Sequence, residues 1–178
     1  EISPEAVRAL VAKLHELFGE NYECAFSEPD APTGVQSTAV IWKRSAVRGR
    51  RVEWPSEAEP LFHLDSRDPR AREEAEHGKI FNRYPGLFHF EFDGPEGEAP
   101  FDFYLVPLHL KAMAEGSLRR RLASRILARA TKLLIEDSGD GDVILGGDLN
   151  APLASGDLDA LTDGNFTAMG AQDEQAGG

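Results

Sequence analysis

The chain has 178 residues, of which 41% are hydrophobic, and this is enough for one soluble domain with a substantial core. Its formal net charge of −12 argues against a protein that coats nucleic acid through bulk electrostatics, because such binding needs a basic surface. The single cysteine, Cys24, excludes a disulfide framework within the chain and a cysteine-rich zinc site.

The first half of the chain predicts one helix followed by strands. Ser3 is a typical N-cap, and apolar residues then recur at helical spacing, which predicts a helix from about Pro4 to Phe18. The dense charge of Ser66–Lys79 is compatible with a short helix or a surface excursion, and we treat it as a loop region. Strands are predicted where β-forming residues cluster, at Tyr22–Phe26, Thr38–Trp42 and Arg51–Trp54.

The second half predicts a hairpin, a long helix and a final strand. Leu87–Phe92 and Phe101–His109 flank a turn-like sequence and are expected to pair with each other. Ser117–Glu136 has leucines on one side and arginines opposite, the pattern of an amphipathic helix. Val143–Leu145 is wholly apolar, which is typical of a strand buried on both faces, so we expect it at the centre of a sheet.

No transmembrane helix is expected. The longest apolar runs, such as Phe101–Leu110, are interrupted by polar residues or proline and are shorter than the roughly 20 residues that a spanning helix needs. The acidic start of the chain does not have the pattern of an export signal, which favours a cytoplasmic protein. The sequence leaves the oligomeric state open.

The sharpest chemical signal is a carboxylate and a carboxamide at the end of the last predicted strand. Asp148 and Asn150 are two residues apart, so in an extended chain both side chains would point to the same side. Gly146 and Gly147 precede them and allow another backbone or a ligand to approach closely. A turn without function remains the structural alternative, since Gly, Asp and Asn are common turn residues.

Four segments resemble those of one enzyme family in the correct chain order. Residues 147–151, Gly-Asp-Leu-Asn-Ala, resemble the Gly-Asp-Phe/Leu-Asn motif of the endonuclease/exonuclease/phosphatase family, whose fold is that of pancreatic DNase I. Residues 108–112, Leu-His-Leu-Lys-Ala, are similar to its His-Leu-Lys segment, which an arginine-rich helix follows. Residues 36–44 resemble a family strand more weakly, and Glu1-Ile2 is similar to the family's metal-site segment.

This resemblance implies an α/β fold of the DNase I-like class, a four-layer sandwich of two packed mixed β-sheets flanked by helices. Residues 1–178 would form one such domain, incomplete at both ends. The family's opening strand and its closing Ser-Asp-His segment are not recognised, and no histidine follows Asn150. Either the family's closing segment lies beyond Gly178 in a longer protein, or the protein is a degenerate member that does not turn over substrate.

The implied activity is Mg²⁺-dependent hydrolysis of a phosphodiester, with Mn²⁺ as an alternative ion. Hydrolysis of an anionic phosphodiester needs charge neutralisation and an oriented water. By resemblance, Glu1 would bind the metal, Asp148 would orient or deprotonate the water and also contact the metal, and Asn150 would hold the phosphate. His109 would donate a hydrogen bond to the phosphate or act as a general acid. Gln36 stands where DNase I has an acid that supports the histidine.

The substrate class remains open in the sequence. Nucleic acid is favoured, while nucleotides, inositol phosphates and phospholipids stay as alternatives, as does a catalytically silent binding module. A phosphate track is one interpretation of two basic clusters, and solvated strand ends with an exposed helix face are the other. The first cluster is Lys43, Arg44, Arg48, Arg50 and Arg51; the second is Arg119, Arg120, Arg121, Arg125, Arg129 and Lys132.

Overall fold

A computed structural model of the chain describes residues 3–28, 36–69, 78–94, 99–163 and 166–167. Within these ranges no helix is both long and apolar enough to cross a membrane. The chain divides into two compact units. The first comprises Glu1–Trp54, Arg83–His109 and Gly139–Gly147, and the second comprises Pro55–Asn82, Leu110–Ser138 and Asp148–Gly178.

Helix α1 (Pro4–Phe18) opens the first unit with the predicted bounds. The Ser3 hydroxyl accepts a hydrogen bond from the Ala6 amide at 3.3 Å, and Gly19 ends the helix with a φ of 65°. Such a left-handed residue is the usual glycine termination of a helix. Only Pro4 and Val7 of the helix are buried, whereas Leu17 and Phe18 are 61% exposed, so most of the expected apolar face is not covered by the described residues.

The first unit contains two β-sheets. Strands β1 (Tyr22–Phe26) and β2 (Ala39–Lys43) form an antiparallel pair. The second sheet has the order β3-β4-β5-β6, made from β3 (Arg48–Val52), β4 (Leu87–Phe92), β5 (Phe101–His109) and β6 (Val143–Asp148). The pairs β3–β4 and β4–β5 are antiparallel, which confirms the predicted hairpin.

Strands β5 and β6 run parallel, so the larger sheet is mixed. The Tyr104 amide donates to the Asp142 carbonyl at 2.8 Å, and the Leu110 amide donates to the Asp148 carbonyl at 2.9 Å. In both bonds the donor residue and the acceptor residue are separated by the same number of positions in the sequence, as a parallel ladder requires. Parallel neighbours need a long crossover connection, and here that connection contains the long helix of the second unit.

Aromatic side chains join the inner faces of the two sheets. Phe88 and Phe90 lie on one face of β4, and the rings of Trp42 from β2 and Phe90 meet edge to face with 5.5 Å between ring centroids. Phe103 of β5 stacks on Phe90 at 5.4 Å. Full burial of a side chain such as Phe88 stabilises the fold by roughly 1.5–3 kcal/mol. The period-two alternation of β4 therefore places Phe88 and Phe90 in this core, whereas Phe92 at the end of the strand is exposed.

The position predicted for the last strand is wrong for the described residues. Strand β6 lies at the edge of the sheet order, next to β5 alone, and Ile144 is 50% exposed. The apolar run Val143–Leu145 gave the pattern of a central strand, but a strand with one described neighbour leaves its outer side uncovered. The third predicted strand is also displaced, from Arg51–Trp54 to β3.

The second unit is helical in its described part. Helix α2 (Ser117–Ser138) is longer by two residues than predicted, and it contacts helix α3 (Asp159–Thr162) and the short 3₁₀ helix Glu59–His63. A second 3₁₀ helix, Ala114–Gly116, leads directly into α2. The loop region predicted at Ser66–Lys79 lies partly outside the described residues, since residues 70–77 are not described.

The buried face of α2 differs from the expected one. It includes the predicted Leu127, Ala130 and Leu134, but Arg119 is only 1% exposed and Arg120 only 5%. The expectation that the arginines lie on the solvated side is therefore wrong for these two. The reason is that each guanidinium donates hydrogen bonds to groups of its own unit, Arg119 to the Ile80 carbonyl and the Asn82 side chain.

Candidate active site

Strand β6 approaches the neighbouring strand closely just before its end. A Cβ atom added to Gly147 would lie 2.1 Å from the Leu108 carbonyl oxygen, and the φ of Gly147 is 134°. Any other residue would both collide with Leu108 and adopt a disfavoured backbone conformation. The glycine expected to permit a close approach is therefore required by the backbone of β5.

Asp148 and Asn150 form a turn, which we call the Asp148–Asn150 turn. The Asp148 carboxylate accepts a hydrogen bond from the Asn150 amide at 2.9 Å, and Asn150 has a φ of 51°. The chain is therefore not extended through Asn150, because the strand ends at Asp148, and the turn left open by the sequence is present. Short polar side chains such as that of Asp148 make local turns of this kind, and Asn tolerates the left-handed region.

Both ends of Leu110 are bound by this turn. The Leu110 amide donates to the Asp148 carbonyl, and the Leu110 carbonyl accepts from the Asn150 side-chain nitrogen at 3.0 Å. This bond fixes which way the Asn150 carboxamide faces. Leu110 therefore binds the backbone carbonyl of Asp148 and the partly buried carboxamide of Asn150, while the exposed Asp148 carboxylate accepts from the Asn150 amide.

His109 ends β5 and directly precedes Leu110. It is partly buried and makes interactions of its own within the protein. It belongs to the first unit, whereas Asp148 and Asn150 belong to the second. Its catalytic role, and the predicted meeting of its imidazole with the Asp148 carboxylate, stay predictions. Glu1, the predicted metal ligand, lies outside the described residues.

Gln36 contacts a cation. Its side-chain oxygen accepts a hydrogen bond from Arg83 at 3.4 Å. Burial lowers the pKa of the Arg83 guanidinium from its ordinary value, although it stays protonated at any pH near neutrality. The predicted support of His109 by this amide stays a prediction.

The metal-ligand atoms of the Asp148–Asn150 turn suit a magnesium ion whose coordination shell is completed by substrate. They suit an ion enclosed by protein ligands less well. Mg²⁺ is typically bound through one or two carboxylates, with waters and substrate oxygens completing the shell. Asp148 offers one such carboxylate. Among the described residues, no group of three His, Cys, Asp or Glu side chains has the geometry to hold a metal ion.

Sequence reasoning missed the polar cluster that supports the loop before α2. Arg120 donates to the carbonyls of Lys111 and Met113, both at 2.7 Å, and its Nε and Nη2 atoms contact the Asp157 carboxylate at 2.9 and 2.8 Å. The Ser117 hydroxyl donates to the other carboxylate oxygen at 2.6 Å. The only sequence signal was an uninterrupted run of three arginines beginning at Arg119.

Electrostatics within this cluster favour the charged form of Asp157. Burial acts to raise the pKa of its carboxyl group. Hydrogen bonds from Ser117 and Arg120, together with the charges of Arg120 and Arg121, outweigh burial and hold the pKa below its ordinary value. The cluster therefore contains a carboxylate at neutral pH, paired with a buried guanidinium.

The first basic cluster is paired with carboxylates on the surface of its own unit. Glu91 alone contacts both Arg48 and Arg50. Hydrogen bonds from Arg50 and Arg48 lower the pKa of the Glu91 carboxyl group. The interpretation of these cations as solvated strand ends agrees with their contacts, which are Lys43–Glu20, Arg44–Glu23, Arg48–Asp93 and Arg51–Glu53 in addition to those of Glu91.

These elements define the class of the fold: an α/β protein whose mixed sheet contains a parallel pair with a helical crossover and carries polar groups at one strand end. Among solved structures, the chain is similar to the catalytic domain of human Nocturnin with a TM-score of 0.50. The two share 13% sequence identity, over 91% of this chain and 53% of that chain. Nocturnin has the DNase I-like fold of the endonuclease/exonuclease/phosphatase family, and this likeness shows that fold for the chain.

Two further structures are similar at lower scores. D. rerio TDP2, complexed with a single-strand DNA product, has a TM-score of 0.48 and 17% identity, over 94% of this chain and 51% of that chain. A functionally unknown conserved protein from Enterococcus faecalis V583 has a TM-score of 0.47 and 16% identity, over 92% and 55%. The chain thus spans about half the length of these solved chains. No family model and no curated protein sequence matches it.

Proposed function

We propose that this protein hydrolyses a phosphodiester with the help of Mg²⁺, using the Asp148–Asn150 turn as part of its active site. The observation that carries the proposal is the pair of side chains at the end of β6. The carboxylate is exposed, and the carboxamide is oriented by its hydrogen bond to the Leu110 carbonyl. Groups held in advance at the reacting centre lower a barrier without further reorganisation.

The division of labour follows from the chemistry of the two groups. The Asp148 carboxylate accepts a proton from the attacking water or orients it, and Asn150 donates a hydrogen bond to the phosphate oxygens. Mg²⁺, when bound at Asp148, would neutralise charge on the phosphate. His109 would act as the general acid, and Glu1 would supply the second carboxylate for the metal. The human Nocturnin domain, which shares the fold, holds a sulfate anion, a tetrahedral oxyanion like phosphate.

The proposal is tested with the full-length protein and bis(p-nitrophenyl) phosphate as a simple phosphodiester. We expect hydrolysis that stops when EDTA removes divalent ions and resumes with Mg²⁺. Asp148→Asn should lower kcat by about 10²–10⁴-fold, because a positioned acid or base contributes on this scale. Asp137→Asn, which removes an exposed carboxylate at the end of α2, is the matched control and should keep the wild-type kcat.

Two outcomes would contradict the proposal. Hydrolysis that survives Asp148→Asn would place the chemistry elsewhere in the protein. Complete inactivity of the full-length wild type towards phosphodiesters and p-nitrophenyl phosphate, with either Mg²⁺ or Mn²⁺, would favour a silent binding module. The absence of a three-ligand metal cluster among the described residues is the observation that keeps this second candidate in view.

A further inference from the structure

Arg120 is buried and engaged in hydrogen bonds, unlike an arginine on the solvated face of a helix. Its side chain is 6% exposed, and it donates to both Asp157 and two backbone carbonyls. Burial of a charge is costly unless it is paired and its donors are satisfied. The planar guanidinium meets this condition with Nε and Nη2 at the carboxylate and Nη1 at the carbonyls of Lys111 and Met113, four contacts that exceed the three donors of an ammonium group.

The loop that Arg120 holds has a strained backbone. Met113 has a φ of 70° and a ψ of 160°, in a region that is essentially restricted to glycine. Such a conformation is disfavoured for a residue with a side chain and persists only where the surroundings impose it. The Met113 side chain is 70% exposed, so side-chain packing does not impose it. The Met113 carbonyl instead accepts two hydrogen bonds, one from Arg120 at 2.7 Å and one from the Gly116 amide at 3.1 Å, and the shorter of the two comes from Arg120.

The same loop begins at the residue bound by the Asp148–Asn150 turn. Leu110, which donates to the Asp148 carbonyl and accepts from the Asn150 side chain, is followed directly by Lys111. Asp157 lies beyond Asn150 in the chain and closes the arrangement through Arg120 and Ser117. Within the second unit, Asp157 thus contacts Arg120, Arg120 contacts the backbone of the 110–116 loop, and Leu110 of this loop contacts the Asp148–Asn150 turn.

We propose that Arg120 and Asp157 are positioning residues, which fix the 110–116 loop and through Leu110 hold Asp148 and Asn150 in the geometry needed for catalysis. The catalytic part of this inference rests on the proposed phosphodiesterase function. The structural part does not, because the Leu110–Asp148 hydrogen bond exists whatever the protein does. The two parts are therefore measured separately.

The structural part is tested by amide hydrogen exchange in the full-length protein. Arg120→Lys keeps the charge but cannot satisfy the carboxylate and both carbonyls, so exchange of the Leu110 amide should accelerate by about tenfold or more as local opening becomes easier. Arg125→Lys changes an exposed arginine on the same helix and should leave this amide as in the wild type. Unchanged exchange at Leu110 in Arg120→Lys would overturn the inference.

The catalytic part is tested with the phosphodiester substrate. Arg120→Lys should lower kcat by about 10–100-fold with a smaller change in KM, since small misplacement of reacting groups costs rate on this scale. The loss should become smaller in an Asn150→Ala background, where one of the two positioned groups is gone. Full additivity of the two substitutions would overturn the positioning role, as would an unchanged kcat alongside faster exchange at Leu110. A wild type without activity would refute the proposed function, and the exchange experiment would still decide the structural part.

Discussion

Gly147 shows how one residue without a side chain determines the geometry beside the candidate site. The Leu108 carbonyl occupies the space where a Cβ atom would stand, and the next residue is Asp148. Displacement of the backbone at Gly147 therefore moves the carboxylate that follows it. Sequence inspection indicated that Gly146 and Gly147 permit a close approach. In the structure, only Gly147 of this pair lies so close to another residue that a side chain would collide.

Replacement of Gly147 by alanine should destabilise the protein by about 2–4 kcal/mol, through steric overlap with Leu108 and an unfavourable φ. Gly146 is the matched control, because nothing lies within 4 Å of a Cβ added there. Gly146→Ala should change the free energy of unfolding by no more than about 0.5 kcal/mol. Urea unfolding measures both. Equal stability of the two variants would show that β6 does not approach Leu108 as closely as described.

Residue patterns predicted which groups stand at the end of β6 but not how they are held. The Gly-Asp-x-Asn spacing indicated Asp148 and Asn150, whereas the turn that joins them depends on a hydrogen bond from the Asn150 amide to the Asp148 carboxylate. Strand periodicity does not reveal where a strand ends. The role of Arg120 was equally invisible, because two of its partners are backbone carbonyls, which every sequence contains, and the third is the distant Asp157 carboxylate.

At the scale of elements, an ion pair and a hydrogen bond connect the start of α2 to a residue that follows β6 in the chain. Asp157 accepts from Ser117, the first residue of the helix, and pairs with Arg120 one turn later. Loss of one partner from a buried ion pair is costly because the other charge is left uncompensated. The beginning of α2 therefore depends on a carboxylate far from it in sequence.

Asp157→Asn should lower the free energy of unfolding by about 3 kcal/mol at neutral pH, the lower end of the cost of breaking a buried pair, since Asn keeps an acceptor. The pKa of the Asp157 carboxyl group is lowered in the folded protein. Its ionic contribution is therefore complete above the ordinary carboxyl pKa of about 3.9 and is lost as the pH falls through the lowered value.

The difference in stability between wild type and Asp157→Asn should consequently narrow as the pH falls below about 4. Urea unfolding at a series of pH values measures it, and Asp159→Asn, which changes a nearby exposed acid, should show no such convergence. A difference that stays constant down to pH 2 would mean that the charge of Asp157 does not contribute to folding.

At the scale of the whole molecule, the cations of the sequence are mostly bound to the protein's own groups. The first basic cluster is paired with carboxylates, and Arg119 and Arg120 are buried. The net charge of −12 opposes long-range attraction of a nucleic-acid backbone. Recognition of an anionic substrate would then depend on the site itself rather than on long-range attraction.

Cleavage of a single-stranded oligonucleotide should therefore depend weakly on salt. Each neutralised phosphate of a single strand contributes about −0.7 to the slope of log affinity against log salt concentration, so we expect a slope for kcat/KM no steeper than about −1. Glu91→Gln, which removes the partner of Arg48 and Arg50, should steepen it. A wild-type slope steeper than about −3 would show that a phosphate track exists after all.

Most of the fold within the first unit could be predicted from the sequence because its signals are local. The bounds of α1 follow from a cap and a glycine, and the β4–β5 hairpin follows from alternation around a turn. Sheet position does not follow from local signals. The apolar run of β6 is compatible with a central or an edge place, and only the pairing with β5 decides between them.

The positive φ of Met113 gives the 110–116 loop a discontinuous way to relax. A non-glycine residue has no stable path of small adjustments out of this region, because the allowed basins are separated by steric barriers. If the guanidinium of Arg120 withdrew, the Met113 carbonyl would keep only its hydrogen bond from the Gly116 amide, and leaving the strained region would require that bond to break as well. The loop would then pass between two distinct backbone states instead of loosening gradually.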